Sequence, residues 1–296
     1  MTKLAHEMAK PRVLLSGHLP PPMGGIATFY QALLDSSLGE KVDLSFVETS
    51  SQSRSLASSG AATYRNAISA IHDCCRFARS VRAHHPQVTH IATSTGLSFL
   101  KHGLCVLIAS FYHSIVLLHL HCGFSSLYSD RPAIWKWLVR QVFRMTSGLV
   151  VLSSEWDQIR AIMPACRVYH LPNAIDLAPY ESVARGRFAQ PVDGSGLRVL
   201  YLGYVGRAKG TFDLAEAARL LQSRGIGVSF DLVGDSWTPH EWEQLREKIA
   251  DMGIGASVRL HSSVTGPDKL SFFRNADVFI HPSYHEGMPI SVIEAM

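Results

Sequence analysis

Two glutamates near the end of the chain, Glu286 and Glu294, lie eight positions apart around a Gly-Met-Pro turn. On a single helix this spacing would rotate the two carboxylates by ~80° relative to each other. The run ADVFIHP before the turn predicts a strand, and ISVIEAM after it predicts a helix. With Glu286 in the loop and Glu294 within the helix, both carboxylates can face one ligand and accept hydroxyl hydrogen bonds. A surface helix with solvated glutamates fits less well, because Glu294 interrupts an apolar run.

The turn between the glutamates has the composition of an anion site. Proline is favoured at the first position of a helix, and the free amides of a first helical turn attract negative charge. Such an arrangement suits a diphosphate held above the end of the strand. The residues concerned are Gly287, Met288, Pro289 and Ile290.

A second candidate loop follows the predicted strand LRVLYLG and carries two cations, Arg207 and Lys209, among three glycines. The glycines allow the loop to fold closely against a ligand, and a lysine at its tip is a mobile charge suited to phosphate. The glycine spacing is not that of a dinucleotide-binding fingerprint, and the Gly-Lys-Ser/Thr of a P-loop is absent.

Two weaker motifs lie in the first half of the chain. Gly24 and Gly25 precede a predicted helix, where paired glycines permit a close approach to an anion; a tight strand-to-helix turn explains them equally well. His119 and His121 alternate at the end of a predicted strand and therefore share one face. No carboxylate or cysteine has zinc-site spacing with them, so we expect hydrogen-bonding roles, with one histidine structural.

These motifs require elements that bring strand ends together, and the chain supplies them. Short β-rich runs alternate with longer segments of helical period, which is typical of βαβ units around parallel sheets. The predicted strands are Arg12–Gly17, Val42–Val47, Val88–Ala92, Ile115–Leu120, Gly148–Leu152, Arg167–His170, LRVLYLG, GVSFDLVG, SVRLHS and ADVFIHP. The predicted helices cover 26–36, 64–84, 97–111, 132–146, 154–163, 211–224, 239–252 and 266–274.

A change of composition predicts two domains. Residues 178–196 contain two prolines and three glycines and lack apolar periodicity, so we interpret them as a linker. The prediction is therefore a first α/β domain over 1–177 and a second over 197–296, both doubly wound. Such sheets bind ligands beyond the carboxyl ends of their strands, here in a cleft between the domains.

Charge and hydropathy limit the partners. Residues 1–190 hold 18 Lys and Arg against 11 Asp and Glu, whereas residues 191–296 hold 10 against 13. A basic first half suits an anionic partner or an anionic membrane surface, although ordinary solvated arginines explain it as well. No run reaches the ~18 apolar residues of a spanning helix, and no secretory signal is evident. We therefore predict a cytoplasmic protein, or one peripheral to the inner face of a membrane.

Together these motifs resemble the family-4 glycosyltransferases, retaining enzymes of the GT-B architecture. PPMGGIATF is similar to the family's N-terminal glycine loop, LHLHCG to its His-x-His-Gly strand end, and LPNAID to its Pro-Asn-Gly-Ile-Asp turn. RVLYLGYVGRAKGTFDLAEA is similar to the start of its donor domain, and the glutamate pair matches the family's pair separated by seven residues. The last two motifs are specific in combination.

The resemblance implies transfer of a sugar from a nucleotide-diphospho-sugar to a glycan or lipid-linked acceptor, as in envelope or exopolysaccharide synthesis. It implies that Lys209 contacts the donor phosphates, Glu286 the transferred sugar and Glu294 the ribose. His121 would lie near the sugar, Gly24 and Gly25 near phosphate and acceptor, and the Gly287–Ile290 amides at sugar and phosphate. Without an Asp-x-Asp motif, no metal or other cofactor is predicted, and no nucleic-acid partner.

The sequence also departs from the family. Tyr204 stands where the family commonly has an arginine, so Arg207 is the candidate replacement phosphate ligand. The family continues past EAM with a further strand and helices, which predicts that the chain is truncated and its second domain incomplete. Two alternatives stay open: a non-catalytic nucleotide or sugar binder of the same fold, and a nucleotide-sugar epimerase of the same architecture.

Overall fold

The computed structural model describes residues 9–20, 24–49, 64–129, 131–152, 156–188, 196–236 and 238–296. Contacts group the chain into two compact units, and the chain passes from the first to the second after Asn173. Each unit is an α/β layer structure with one parallel sheet, as the alternation of strand and helix patterns predicts.

The first unit is built on a six-stranded parallel sheet in the order β2-β1-β3-β4-β5-β6. Its registers are continuous; for example, Leu15 of β1 lies beside Phe46 of β2 and His90 of β3. The strands are β1 (Arg12–Gly17), β2 (Asp43–Glu48), β3 (Val88–Thr93), β4 (Ile115–Leu120), β5 (Gly148–Val151) and β6 (Val168–His170).

Helices cover both faces of this sheet because its strands are apolar on both sides. Neighbouring residues of β1 show it: Leu14 belongs to the larger core, and Leu15 packs with Phe29 and Tyr30 of α1 on the other face. The helices are α1 (Gly25–Asp35), α2 (Leu38–Lys41), α3 (Tyr64–His84), α4 (Leu97–Phe111), α5 (Ala133–Met145) and α6 (Trp156–Ile162), with a π-helical turn at Ser125–Ser129.

The second unit has a four-stranded parallel sheet in the order β10-β7-β8-β9 and its own apolar core around Tyr201, Leu232 and Leu245. The strands are β7 (Leu197–Leu202), β8 (Val228–Val233), β9 (Val258–His261) and β10 (Val278–Phe279). The helices are α7 (Ala178–Phe188), α8 (Thr211–Ser223), α9 (Pro239–Asp251), α10 (Gly266–Asn275) and α11 (Ile290–Ala295), and Arg207–Lys209 forms a 3-10 turn.

The predicted linker over 178–196 is wrong in its first half, which is the helix α7. The side chain of Asp176 accepts a hydrogen bond from the backbone N–H of Ala178 at 3.0 Å and so stabilises the start of this helix. Tyr180 then packs edge-on against Phe273 of α10, with 5.9 Å between ring centroids. Pro179 lies in the first turn, where proline is compatible with a helix, but Gly186 lowers the local helix propensity. Packing on α10 stabilises the helix. Residues 189–195 lie outside the described ranges.

Candidate functional site

The candidate site lies in the second unit, where the neighbouring parallel strands β7 and β10 both end. Glycines let the chain turn there. Gly203 and Gly234 have φ of 158° and 148°, and a Cβ on Gly234 would lie 1.9 Å from the carbonyl oxygen of Gly203. Gly210 joins the 3-10 turn to α8 at φ 71°, where a Cβ would meet the carbonyl oxygen of Pro282 at 2.5 Å. Larger residues would push these loops apart.

An ion pair connects the two loops. The Nζ of Lys209, after β7, lies 2.5 Å from Oε1 of Glu286, after β10. His281 also reaches Oε1 of Glu286, through its Nε2 at 3.1 Å. The side chains of Lys209 and Glu286 are 21% and 26% exposed, so a ligand can reach the pair without unfolding the loops. We call Lys209, His281 and Glu286 the charged cluster.

Further contacts fix the loops around the charged cluster. The backbone N–H of Tyr284 donates to the carbonyl of Ala208 at 3.1 Å, and its hydroxyl donates to Asp213 Oδ2 at 3.0 Å. The ring of His281 stacks on Tyr201, with 5.9 Å between centroids and 12° between planes. The cluster is therefore held by β7, α8 and the loop after β10, which reduces the freedom lost when a ligand binds.

The electrostatics of the cluster favour an ionised Glu286. Burial alone would raise the pKa of Glu286, but hydrogen bonds from His281 and Lys209, together with the lysine charge, outweigh it and lower the pKa to about 2. At neutral pH this carboxylate cannot deliver a proton. It can accept hydrogen bonds from hydroxyl groups, while Lys209 can neutralise an anion.

The second glutamate, Glu294, is placed differently. Its side chain is 5% exposed, and Oε1 lies 2.6 Å from the Nζ of Lys269 on α10. Tyr180 on α7 also contacts this pair: the lysine Nζ lies 5.8 Å from its ring centroid, and burial, followed by a hydrogen bond to Glu294, raises the pKa of Tyr180. Glu294 therefore ties α11 to α10 and α7.

The predicted diphosphate turn, from Gly287 through Met288 and Pro289 to Ile290, immediately precedes α11. Pro289 is the residue before the helix, with φ −72° and ψ 122°, rather than its first residue as predicted. Although Pro289 is extended, its carbonyl accepts a hydrogen bond from the backbone N–H of Val292 at 3.2 Å, as the residue before a helix commonly does. The turn lies directly after Glu286, so this carboxylate and the turn belong to one loop, whereas Lys209 reaches Glu286 from the loop after β7.

Arg207 is the predicted ligand that the structure does not bring to the charged cluster. Its guanidinium lies over the ring of Phe212, 4.1 Å from the centroid, and it lines a surface depression with residues of α9. Its backbone N–H donates to Glu241 Oε1 at 3.1 Å. Cation–π stacking holds this side chain beside Phe212 and α9, and its role as a phosphate ligand stays a prediction.

The motifs of the first unit form a separate group. Gly24 precedes α1 with extended backbone, and a Cβ on Gly25 would meet no atom within 4 Å, so packing does not require that glycine. His119 and His121 share a face as predicted, with ring centroids 4.1 Å apart. His90 lies 5.3 Å from His119. We call His90, His119 and His121 the histidine cluster.

The histidine cluster is neutral. Burial, followed by repulsion from His90, lowers the pKa of His121 to about 3, and burial lowers that of His90 to about 4. Burial, followed by repulsion from His121, lowers the pKa of His119 as well. Both ring nitrogens of His119 and Nε2 of His121 are buried without a hydrogen-bond partner among the described residues. Burial of uncharged imidazoles among aromatic rings explains these shifts.

Sequence reasoning missed four residues of these sites: His90, His281, Lys269 and Tyr180. His281 lies two residues after the end of β10, and this position near a strand end is the signal that could have identified it. Lys269 and Tyr180 give no local signal, because they reach Glu294 from helices 25 and 114 positions away in the sequence. Among the described residues, no group of three or more His, Cys, Asp or Glu has the arrangement of a metal site.

Comparison with known proteins places the charged cluster in a recognised domain. Residues 184–296 match the family "Glycosyl transferases group 1". A D-inositol 3-phosphate glycosyltransferase of Pseudarthrobacter chlorophenolicus is 31% identical over 133 residues, which are 44% of this chain and 31% of that protein. The GDP-mannose:cellobiosyl-diphosphopolyprenol alpha-mannosyltransferase of Xanthomonas campestris is 24% identical over 180 residues, 60% of this chain and 45% of that protein. The matched segments thus span less than half of these relatives.

Solved structures support the fold. Sucrose-phosphate synthase of Thermosynechococcus elongatus superposes with a TM-score of 0.69 at 15% identity, covering 96% of this chain and 78% of that one. Anabaena Alr3699/HepE in complex with UDP-glucose gives a TM-score of 0.65 at 14% identity, with 96% and 78% covered. The fold is therefore α/β of the GT-B class, with two Rossmann-like units, as the sequence predicts.

Proposed function

We propose that the chain is a glycosyltransferase that binds a nucleotide-diphospho-sugar at the charged cluster and transfers the sugar to an acceptor. The observation that carries the proposal is the ion pair between Lys209 and Glu286, which joins the ends of β7 and β10 within the matched domain. The pair offers one positive and one negative group at the place where parallel α/β sheets bind their ligands.

Lys209 is assigned to the diphosphate. A lysine ammonium is a mobile point charge, and its partial exposure lets it turn from Glu286 to a phosphate oxygen. As the bond from sugar to phosphate breaks, negative charge grows on the departing diphosphate, and a positioned cation stabilises that charge. The backbone N–H groups of the turn from Gly287 to Ile290 add donors, except at Pro289, which has none. A helix of six residues, as α11 is, contributes only a small dipole.

Glu286 is assigned to hydroxyl groups of the transferred sugar. Its pKa of about 2 keeps the carboxylate ionised, so its role is to accept hydrogen bonds and not to donate a proton. His281 contacts the same oxygen and orients the carboxylate. Once Lys209 turns to the phosphates, sugar hydroxyls replace it as partners of Glu286.

Glu294 is assigned to the ribose, with Lys269 holding its carboxylate. A buried carboxylate keeps its charge only when it is paired, and one ammonium on Oε1 leaves further acceptor positions on the carboxylate. Lys269→Met would remove the ammonium that pairs with the buried Glu294 carboxylate. The expected result is about 3 kcal/mol lower stability in urea unfolding, with Lys248→Met on the surface of α9 as a control for the lost charge.

The finer features rest on the resemblance and on the relatives. We propose retention of the anomeric configuration and membership of family 4 because the glutamate pair and the glycine loop around Lys209 resemble that family. The Xanthomonas relative is named for a diphosphopolyprenol acceptor and the Pseudarthrobacter relative for inositol 3-phosphate. We propose a glycan or lipid-linked acceptor in envelope or exopolysaccharide synthesis at the inner face of a membrane, and a reaction that needs no divalent metal, because Lys209 and backbone amides meet the diphosphate charge.

A donor panel tests this proposal against its alternatives. UDP- and GDP-sugars are incubated with the chain, with and without lipid-linked glycan acceptors, and the products are separated. Release of nucleotide that depends on the charged cluster supports transfer. Binding without turnover would indicate a non-catalytic binder, and isomerisation of the free donor would indicate an epimerase. Activity lost in a chelator and restored by magnesium would overturn the metal-free assignment.

A further inference from the structure

The outer side of three neighbouring helices in the first unit is apolar and cationic. Along α4, the exposed positions follow a spacing of three, four and seven, so they form one stripe on the side away from the sheet. Its members Leu104, Leu107 and Phe111 are 54%, 52% and 77% exposed, and Leu97 extends the stripe at the helix start. A contiguous row of exposed large apolar side chains indicates a binding surface.

The helices on either side of α4 extend this surface. Both α3 and α5 pack against α4. On α3, Ile71 is 61% exposed and Tyr64 lies further along the same side; on α5, Trp137 is 54% exposed beside Ile134. Aromatic side chains favour the boundary between an apolar phase and water. We call the exposed sides of α3, α4 and α5 the outer helix face.

Nearly all charged side chains of these three helices are cationic. The three helices contain a single acidic residue, Asp73, which is 1% exposed and paired with Lys101 at 3.2 Å. Their basic residues are Arg65, Arg76, Arg79, Arg82, Lys101, Lys136, Arg140 and Arg144. The helices of the second unit differ: α9 alone has Glu241, Glu243, Glu247 and Asp251. The positive surface is therefore specific to the first unit.

We propose that the outer helix face binds the surface of an anionic phospholipid membrane. Apolar side chains of α4 enter the boundary between headgroups and acyl chains, while arginines and lysines of α3 and α5 contact the phosphates. Helices that lie in a membrane surface combine these two properties. None of the described helices is long and apolar enough to cross a membrane, so α4 would lie along it.

The cationic charge of the outer helix face favours an anionic membrane over a second copy of the chain or a neutral apolar partner. A second copy of the chain would place two cationic faces against each other, which is unfavourable. A neutral apolar partner would leave the exposed cations of α3 and α5 without counter-charges. An anionic lipid surface satisfies both properties at once. The proposal concerns the first unit only and does not rest on the proposed sugar transfer.

Sedimentation with vesicles tests the proposal. The full chain should sediment with vesicles containing phosphatidylglycerol and stay in the supernatant with phosphatidylcholine alone. Because salt shortens the range of charge attraction, binding should weaken severalfold between roughly 0.05 M and 0.5 M salt. Equal binding to both vesicle types, or no binding to either at low salt, would overturn the proposal.

Variants locate the surface. The double variant Leu104→Ser, Leu107→Ser should bind phosphatidylglycerol vesicles at least about tenfold more weakly than the wild type, because it removes two inserted apolar groups. Leu220→Ser on α8 is the matched control, since Leu220 is 46% exposed on a helix of the second unit. Phe111→Ser, at the most exposed position, is a second variant in case the double variant unfolds. Wild-type binding by the folded variants would contradict the assignment.

Arginine variants and a measurement of self-association test the same surface. Arg79→Gln with Arg82→Gln should reduce binding about tenfold, as two surface cations are lost. If light scattering shows a dimer that Leu104→Ser, Leu107→Ser dissociates, the outer helix face binds a second copy and the membrane assignment is wrong. Nucleotide binding measured on the same variants should be unchanged, so failure here is distinguishable from failure of the proposed donor site.

Discussion

The charged cluster of the second unit and the histidine cluster of the first occupy corresponding places in their folds but have opposite electrostatics. The residues of the charged cluster follow β7 and β10, and His119 and His121 lie at the carboxyl end of β4, with His90 within β3. In the charged cluster, Lys209 and Glu286 are paired and partly exposed. In the histidine cluster, His119 is wholly buried and neutral. A position near the strand ends is therefore not enough to make a ligand site. Solvent exposure and charge pairing distinguish the charged cluster, which a ligand can reach, from the buried and neutral His119.

Removing the anion of the charged cluster should give the largest effect. Glu286→Ala should lower donor-dependent turnover about 10²–10³-fold, as loss of a group that acts mainly in the transition state does. Stability should change by less than about 1 kcal/mol, because the pair is partly solvated. The measurement is nucleotide release with a responsive donor, with folding followed by circular dichroism.

Glu243→Ala is the matched control for Glu286→Ala, because Glu243 pairs with Arg246 on the surface of the same unit. The control should retain wild-type turnover. If a folded Glu286→Ala variant turns over donor at the wild-type rate, the cluster is not the donor site and the contrast with the histidine cluster has no functional meaning.

Acid should lower the free energy of unfolding through protonation of the histidine cluster. The folded pKa of His90, about 4, lies below its unfolded value of about 6.5, so the unfolded chain binds more protons between these pH values. The stabilisation is present above pH 6.5 and is lost as pH falls through the folded pKa. We expect a loss of about 3 kcal/mol between pH 7 and pH 4 from this group alone.

Urea unfolding across this pH range measures the loss, and His90→Asn provides the comparison, since it removes the titrating ring but keeps a polar group beside Tyr30. The variant should show a shallower fall of stability between pH 6.5 and pH 4. An equally steep fall would show that His90 does not contribute to acid unfolding.

The two clusters also differ in how their polar atoms are satisfied, which predicts a smaller effect. Both ring nitrogens of His119 are buried without a hydrogen-bond partner in the part of the chain that the structure describes, so His119→Phe should raise the free energy of unfolding by about 1 kcal/mol at pH 7. Donor binding by the second unit should stay unchanged. A destabilised, folded variant would mean that the imidazole makes an interaction that a phenyl ring cannot.

Much of the fold could be predicted from periodicity. The helix over 64–84 and the strands Arg12–Gly17 and Ile115–Leu120 have the predicted bounds, because long apolar periods and buried alternation leave one assignment. The helix α7 could not be predicted from apolar periodicity, since it is stabilised by Tyr180 packing on Phe273 together with the Asp176 cap. Tertiary contacts override local propensity at that position.

In the candidate site, too, local sequence predicts some features and tertiary contacts determine the others. The glutamate spacing and the lysine loop predict which residues carry chemistry, and the structure brings Lys209 and Glu286 together. Arg207 was equally plausible from the sequence, but stacking on Phe212 takes its guanidinium to the α9 side. The burial of Glu294 against Lys269 depends on two helices meeting, which no local pattern encodes.

The central claim is that the charged cluster binds a nucleotide-diphospho-sugar. Calorimetric titration of UDP- and GDP-sugars into the wild type and into Lys209→Met tests it most directly, with Lys248→Met as the control from a lysine–glutamate pair that joins α9 to α8. The account predicts that Lys209→Met weakens the best donor about 10- to 100-fold, the value of one charged hydrogen bond, while Lys248→Met binds it normally. Equal affinity of wild type and Lys209→Met would contradict the account.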